Sequence, residues 1–142
     1  MNWRLALPLG ALGPLMGALV VLGVFPEGTD NFAWFGVVGL TAFLAARSER
    51  ERALFHGAVI GFWNGASATL VQAFLFDTTV KNNPWIVEKF ADQPPGFDLE
   101  FFYFMLVPFI GVAGGAMTGL LTMLVARVLS GARKPDAGET RP

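Results

Sequence analysis

Four long stretches of this chain carry almost no charge, and nearly all its acids and bases fall in the segments between them. Leu5 to Phe25, Phe32 to Ala46, Ala53 to Phe76 and Phe101 to Ala126 hold no acid, lysine or arginine, and His56 is their one titratable nitrogen base. A soluble helix or strand alternates polar and apolar positions so that one face meets water. These stretches do not alternate, so their surroundings have to be apolar on most sides. Composition agrees: 54% of residues are hydrophobic and only 15% charged, against about a quarter charged in soluble domains. Lipid is the solvent that suits such a chain. In lipid a lone segment satisfies its backbone by forming a helix. The fold class that follows is all-α, an integral membrane bundle of four transmembrane helices in one domain, residues 1–130.

The expected spans are about 5–25, 31–47, 53–77 and 99–129. The first contains Pro8 and Pro14. Its apolar core is long for a signal peptide and lacks an Ala-x-Ala site before Pro26, so it is expected to be retained. The second is the shortest, about 15 uncharged residues or roughly 22 Å of helix. Extension to Asp30 and Arg47, with the arginine reaching back to the interface, brings it near the thickness of a bilayer core. The fourth exceeds that thickness, and Pro108 is its expected kink. Arg4, Arg47, Arg50, Arg52, Arg127, Arg133, Lys134 and Arg141 fall on one side of this arrangement, and only Lys81 and Lys89 on the other. The positive-inside rule puts the first group, and both termini, in the cytoplasm.

The connector from Asp77 to Glu100 is the one long loop. Asn83 followed by Pro84 reads as an N-cap and first helical residue. A short interfacial helix follows, with Trp85, Ile86 and Phe90 on the membrane surface and Glu88 and Lys89 toward water. Asp98 reads as the N-cap of the fourth span. Phe101 to Phe104 form part of an outer aromatic belt. Residues 131–142 read as a disordered cytoplasmic tail.

Glycine is abundant, with 17 copies, and its spacing is regular. Gly57, Gly61 and Gly65 recur every four residues, as do Gly111, Gly115 and Gly119. On a helical wheel Gly57, Gly61, Asn64, Gly65, Ala68 and Gln72 share a sector of about 100°. Val59, Phe62, Ala66, Leu70 and Ala73 lie opposite. Gly111, Gly115, Thr118, Gly119, Thr122 and Ala126 share a face of the fourth span, and Gly10, Gly13 and Gly17 one side of the first. Lipid gives helices no hydrophobic reason to associate, so small residues that let backbones approach are the expected packing surfaces. The two later rows match at an offset of 54 residues, which either an inverted duplication or convergence on one packing pattern explains. Asn64, Gln72, Thr118 and Thr122 form the candidate polar face inside the membrane. They serve either as interhelical hydrogen-bonding groups or as a seam that binds or passes a small solute.

No acid lies in the middle of a span, which disfavours a proton-coupled pump. With no cysteine and one histidine, thiolate and multi-histidine metal sites are excluded. Neither a catalytic constellation nor a cofactor is expected, and the net charge of −1 gives no nucleic-acid surface. Phe55-His56-Gly57, the run Gln72 to Thr78, Asn82-Asn83-Pro84, the opening Met1-Asn2-Trp3 and the run Val24 to Gly28 together resemble small bacterial four-helix inner-membrane proteins of unknown function. That resemblance implies a bacterial inner membrane and a similar bundle, and attaches no activity. The expected role is a non-enzymatic structural or accessory membrane protein, with the bilayer and either a homo-oligomer or a larger membrane complex as partners. The alternative is a small oligomeric channel or transporter.

Overall fold

A computed structural model describes residues 2–48 and 50–131. The described residues are all-α: Trp3–Gly10 (α1), Leu12–Val21 (α2), Asp30–Ser48 (α3), Ala53–Phe74 (α4), Phe76–Asn82 (α5), Trp85–Lys89 (α6) and Leu99–Gly131 (α7). Gly131 is the last turn of α7, and the rest of the expected tail lies outside the described residues. By length and composition two segments can cross a membrane, Trp3–Val21 and Leu99–Gly131, and the bent pair α4–α5 makes a third.

The protein is turned inside out relative to a soluble domain. Its interior is lined by small residues: Ala42, Ala45, Ala46, Ala68 and Ala73 are each at most 1% exposed. Its large apolar side chains point outward, among them Phe32, Phe35, Phe109, Val112 and Val128, each more than 60% exposed. So large an apolar surface suits lipid and not water.

α4 is the central helix. Gly13 of α2 abuts Asn64 and Ser67, and Gly17 abuts Ala68 and Val71. Both contact positions advance in the same direction, so α2 runs parallel to α4. On another side Gly57 faces Thr122 and Thr118, Gly61 faces Gly114 and Thr118, and Gly65 faces Ile110 and Gly111. The partner number falls as the α4 number rises, so α7 is antiparallel. The end of α3 is tied back to the start of α1 by Asn2 Nδ2 donating to Ser48 Oγ at 3.1 Å.

The glycine rows are where the backbones meet. A methyl group on Gly65 would lie 2.7 Å from the Ile110 carbonyl oxygen, and one on Gly115 2.9 Å from that of Ala58. Neither space exists for a real side chain. The rows do not pair across a symmetric seam, however. A twofold arrangement of the 54-residue offset would set Gly111 against Asn64, the counterpart of Gly57 against Thr118. Nearest to Gly111 are instead Phe62 and Ala66. These two residues, expected to face away, therefore line the α7 contact, and Ala73 is fully buried. A wheel assigns one buried face to a helix, whereas α4 meets partners on several. Gly114, absent from the expected face, also packs on the Gly61 carbonyl.

Two expected spans are broken. The first divides at Ala11, because the ring of Pro14 displaces the Gly10 carbonyl from the helical ladder. The third ends at Phe74, not 77, and the chain turns by 89° into α5. At that corner the hydroxyl of Thr79, fully buried, donates to the carbonyls of Leu75 at 2.9 Å and Gln72 at 3.2 Å. The bond to Gln72 satisfies an acceptor that the end of α4 leaves unpaired. α7 continues without interruption through Pro108 over 33 residues, roughly 50 Å of helix.

The α4–α7 contact makes a sharp prediction. Gly61→Leu or Gly115→Leu is expected to lower stability by about 1–3 kcal/mol through overpacking. Gly39→Leu in α3, where nothing lies within 4 Å of the added carbon, is expected to cost little. Thermal unfolding of the three variants in detergent separates these outcomes.

Candidate functional site

Several polar groups of the bundle cluster around α4, and some are set by an interruption or an end of a helix. Asn64 is 3% exposed, and its Oδ1 accepts a hydrogen bond from the backbone N–H of Gly13 at 3.0 Å. The break at Ala11 separates Gly13 from the ladder of α1, so its N–H requires another acceptor. In a low-dielectric interior an unmet amide is costly. Only glycine permits the approach, because a methyl group at position 13 would collide with the Asn64 backbone and Ser67 Oγ. Asn64 therefore works as a repair for a proline-broken helix.

The other candidate polar residues have local partners. Thr122 Oγ1 donates to the Thr118 carbonyl at 2.6 Å, and both residues are at most 1% exposed. Gln72 is only half-buried, and its Nε2 donates to the Ala68 carbonyl one turn back at 3.3 Å. Asn64 and Thr118 come together along the α4–α7 contact, Thr122 lies one turn further along α7 beside Gly57, and Gln72 lies toward the α4–α5 corner.

Asn64 and Thr118 also touch a groove of about 410 Å³ between α3, α4 and α7. Its lining begins at Asp30, Asn31 and Trp34 and ends at Val38, Met117 and Thr118. The walls are mostly apolar, with Gly61, Gly65 and Gly114 forming the floor. None of the arginines at the opposite end of the bundle contributes to it.

A second polar cluster sits at the α4–α5 end. Asn82 Nδ2 donates to the Val21 carbonyl and Asn83 Nδ2 to the Val20 carbonyl, both at 2.8 Å. Asn83 also reaches the Thr79 carbonyl at 2.9 Å. These asparagines cap the C-terminal end of α2, where Gly23 adopts a left-handed φ of 67° and the Val24 N–H closes onto the Leu19 carbonyl at 3.1 Å. Asn83 is thus drawn toward α2, and Pro84, not Asn83, occupies the N-cap of α6. Ile86, expected on the membrane surface, is 2% exposed and anchors α6 inward. Trp85 remains at the surface under Lys89, whose Nζ lies 4.3 Å from the ring and 3.3 Å from Glu27. Phe90 packs with Phe97 and Phe102. Asp98 caps α7 as expected, Oδ1 accepting from the Phe101 N–H at 2.9 Å.

Sequence reasoning did not anticipate two buried groups. His56 is 4% exposed, its Nδ1–H donating to the Arg52 carbonyl at 2.9 Å while Nε2 has no partner among the described residues. The hydroxyl of Thr41, fully buried in α3, has none either. Thr41 stands in an otherwise apolar helix, and that isolation was the available signal. Comparison with protein-family models, with curated proteins and with solved structures finds no match to this chain.

If Asn64 serves the amide released by Pro14, the two positions are energetically coupled. Asn64→Leu is expected to cost about 1–3 kcal/mol, the penalty for a buried donor left unpaired. Gln72→Leu is expected to cost well under about 1 kcal/mol. In Pro14→Ala the ladder closes and the Gly13 N–H regains a helical acceptor, so Asn64→Leu in that background is expected to lose much of its effect. A double-mutant cycle read by unfolding in detergent measures the coupling, and strict additivity contradicts the assignment. Asn83→Ala is expected to speed amide exchange through α5 and α6 more than in α7, measured by hydrogen–deuterium exchange.

Proposed function

We propose that this chain is a four-span protein of a bacterial cytoplasmic membrane, with both termini cytoplasmic, acting as a non-enzymatic structural or accessory component of a membrane assembly. The spans are α1–α2, α3, α4 and α7. Helix directions support that count: α2 runs with α4, α7 runs against it, and α3 returns to the start of α1. The 19 residues of α3 give roughly 28 Å of helix, close to a hydrocarbon core of about 30 Å. Charge supports the orientation. Arg4 and Arg47 line one cleft and Arg50, Arg52 and Arg127 another, both at the end where α1 and α4 begin. Glu27, Lys89 and the asparagine cluster lie at the other end. Basic groups belong on the cytoplasmic side.

One observation carries the choice of role. Most of the glycine and polar faces of α4 and α7 is taken up in packing within the chain, with Asn64, Thr118 and Thr122 each at most 3% exposed. A channel or transporter needs such groups to line a path, and here Asn64 and Thr122 are engaged with backbone atoms of the chain itself. What remains outward is an apolar surface suited to lipid and to other membrane helices.

Two measurements test the proposal. The chain has no cysteine, so single cysteines at Asp92 and Ser130 report topology in sealed vesicles. An impermeant maleimide is expected to label the first from outside and the second only after permeabilisation. Gentle extraction from the native membrane is expected to recover a reproducible set of partner proteins. A clean homo-oligomer that conducts a solute in liposomes, with flux abolished by Asn64→Leu, would falsify the structural role.

A further inference from the structure

We propose that the cavity of about 610 Å³ between the α3–α4 connector and the last turns of α7 binds the phosphate headgroup of one anionic phospholipid. This rests on the membrane orientation above, which puts that end of the bundle at the cytoplasmic surface. Arg50 and Arg52 from the connector and Arg127 from α7 line the cavity. Among the described residues none of the three is ion-paired. Among the described residues Glu51 is the one acid in the lining, against three guanidinium groups. Their planar forks match phosphate oxygens.

The start of α4 faces the same space through Ala53 and Leu54. It has neither a side-chain cap nor an acid in its first turn. Its open N–H groups and helix dipole therefore add to the positive field. The rest of the wall favours a lipid over a free anion. Leu54 and Phe55 are 46% and 61% exposed, and Met123 joins them in the lining. An acyl chain leaving the headgroup has apolar side chains to follow, whereas inorganic phosphate gains nothing from them. Basic pockets between helices at the cytoplasmic face have the right chemistry for anionic headgroups. The second cleft at this end, lined by Arg4 and Arg47, supplies a control with similar charge and fewer guanidinium groups.

The test uses the full chain in nanodiscs of phosphatidylcholine with a minority of phosphatidylglycerol, followed by native mass spectrometry of the released protein. One phosphatidylglycerol per chain is expected to be retained about tenfold over phosphatidylcholine. Arg52→Gln with Arg127→Gln is expected to remove that preference, the corresponding lysine pair to keep part of it, and Arg4→Gln with Arg47→Gln to leave it intact. Helix content by circular dichroism checks that each variant is folded. Equal retention of the two lipids by the wild-type chain overturns the proposal. So does an equal loss in both glutamine pairs, which would mean diffuse attraction to a basic end. Displacement of the lipid by millimolar inorganic phosphate would mean a free-anion site and overturns the assignment to lipid. A chain that stays in the aqueous phase and never enters nanodiscs overturns the membrane reading itself, a result distinct from entry without lipid preference.

Discussion

A helix interrupted away from water must find new partners for the backbone groups it releases, and that requirement organises this bundle. The break before Pro14 isolates the Gly13 amide, and Asn64 supplies its acceptor. The corner after Phe74 and the end of α2 leave carbonyls exposed. Thr79 supplies a donor to the Gln72 carbonyl and Asn82 one to that of Val21, and Asn83 adds a second donor at Val20. Asn64, Thr79 and Asn82 are each placed opposite a specific defect in the ladder. In water such defects would be hydrated at little cost, and in lipid each left open would cost several kcal/mol.

The same residues fix the mutual positions of the helices. The Gly13–Asn64 bond spans 51 positions in sequence and the Asn83–Val20 bond 63. Together they pin α2 to α4 near its middle and to α5 at its end. Glycine contacts do the rest by letting α7 lie against α4 backbone to backbone. Hydrogen bonding sets the register on one side of α4, and steric fit sets it on the other.

The architecture was largely legible in the sequence, because charge-free runs and period-four glycines report directly on an apolar solvent and close packing. Gly57, Gly61, Gly65, Gly111, Gly115 and Gly119 all lie at helix contacts, and Asp98 caps α7. Hydropathy singles out two or three crossing segments where the charge-free runs count four, since α3 is short and begins at Asp30. The wheel misjudged Ala73, which is fully buried, because it allows a helix one buried face, while Phe62 stays 41% exposed and only its ring edge reaches Gly111. The corner at Leu75 was hidden because Phe74, Leu75 and Phe76 read as continuous helix. The donor that stabilises the turn, Thr79, lies beyond them. Asn64 was singled out as polar within the membrane, but its partner was not readable, since the partner is a backbone amide freed by a proline 50 residues away.

α3 stands apart in this scheme. A methyl group added at Gly36 or Gly39 would touch nothing within 4 Å, and a groove separates part of the helix from α4 and α7. The second half of α3 differs: Thr41, Ala42, Ala45 and Ala46 are buried in the bundle, each at most 1% exposed. The half that begins at Asp30 therefore has room that the half ending at Ser48 lacks. The end of α3 beside the groove can shift without meeting another backbone, while its other end stays fixed against the bundle.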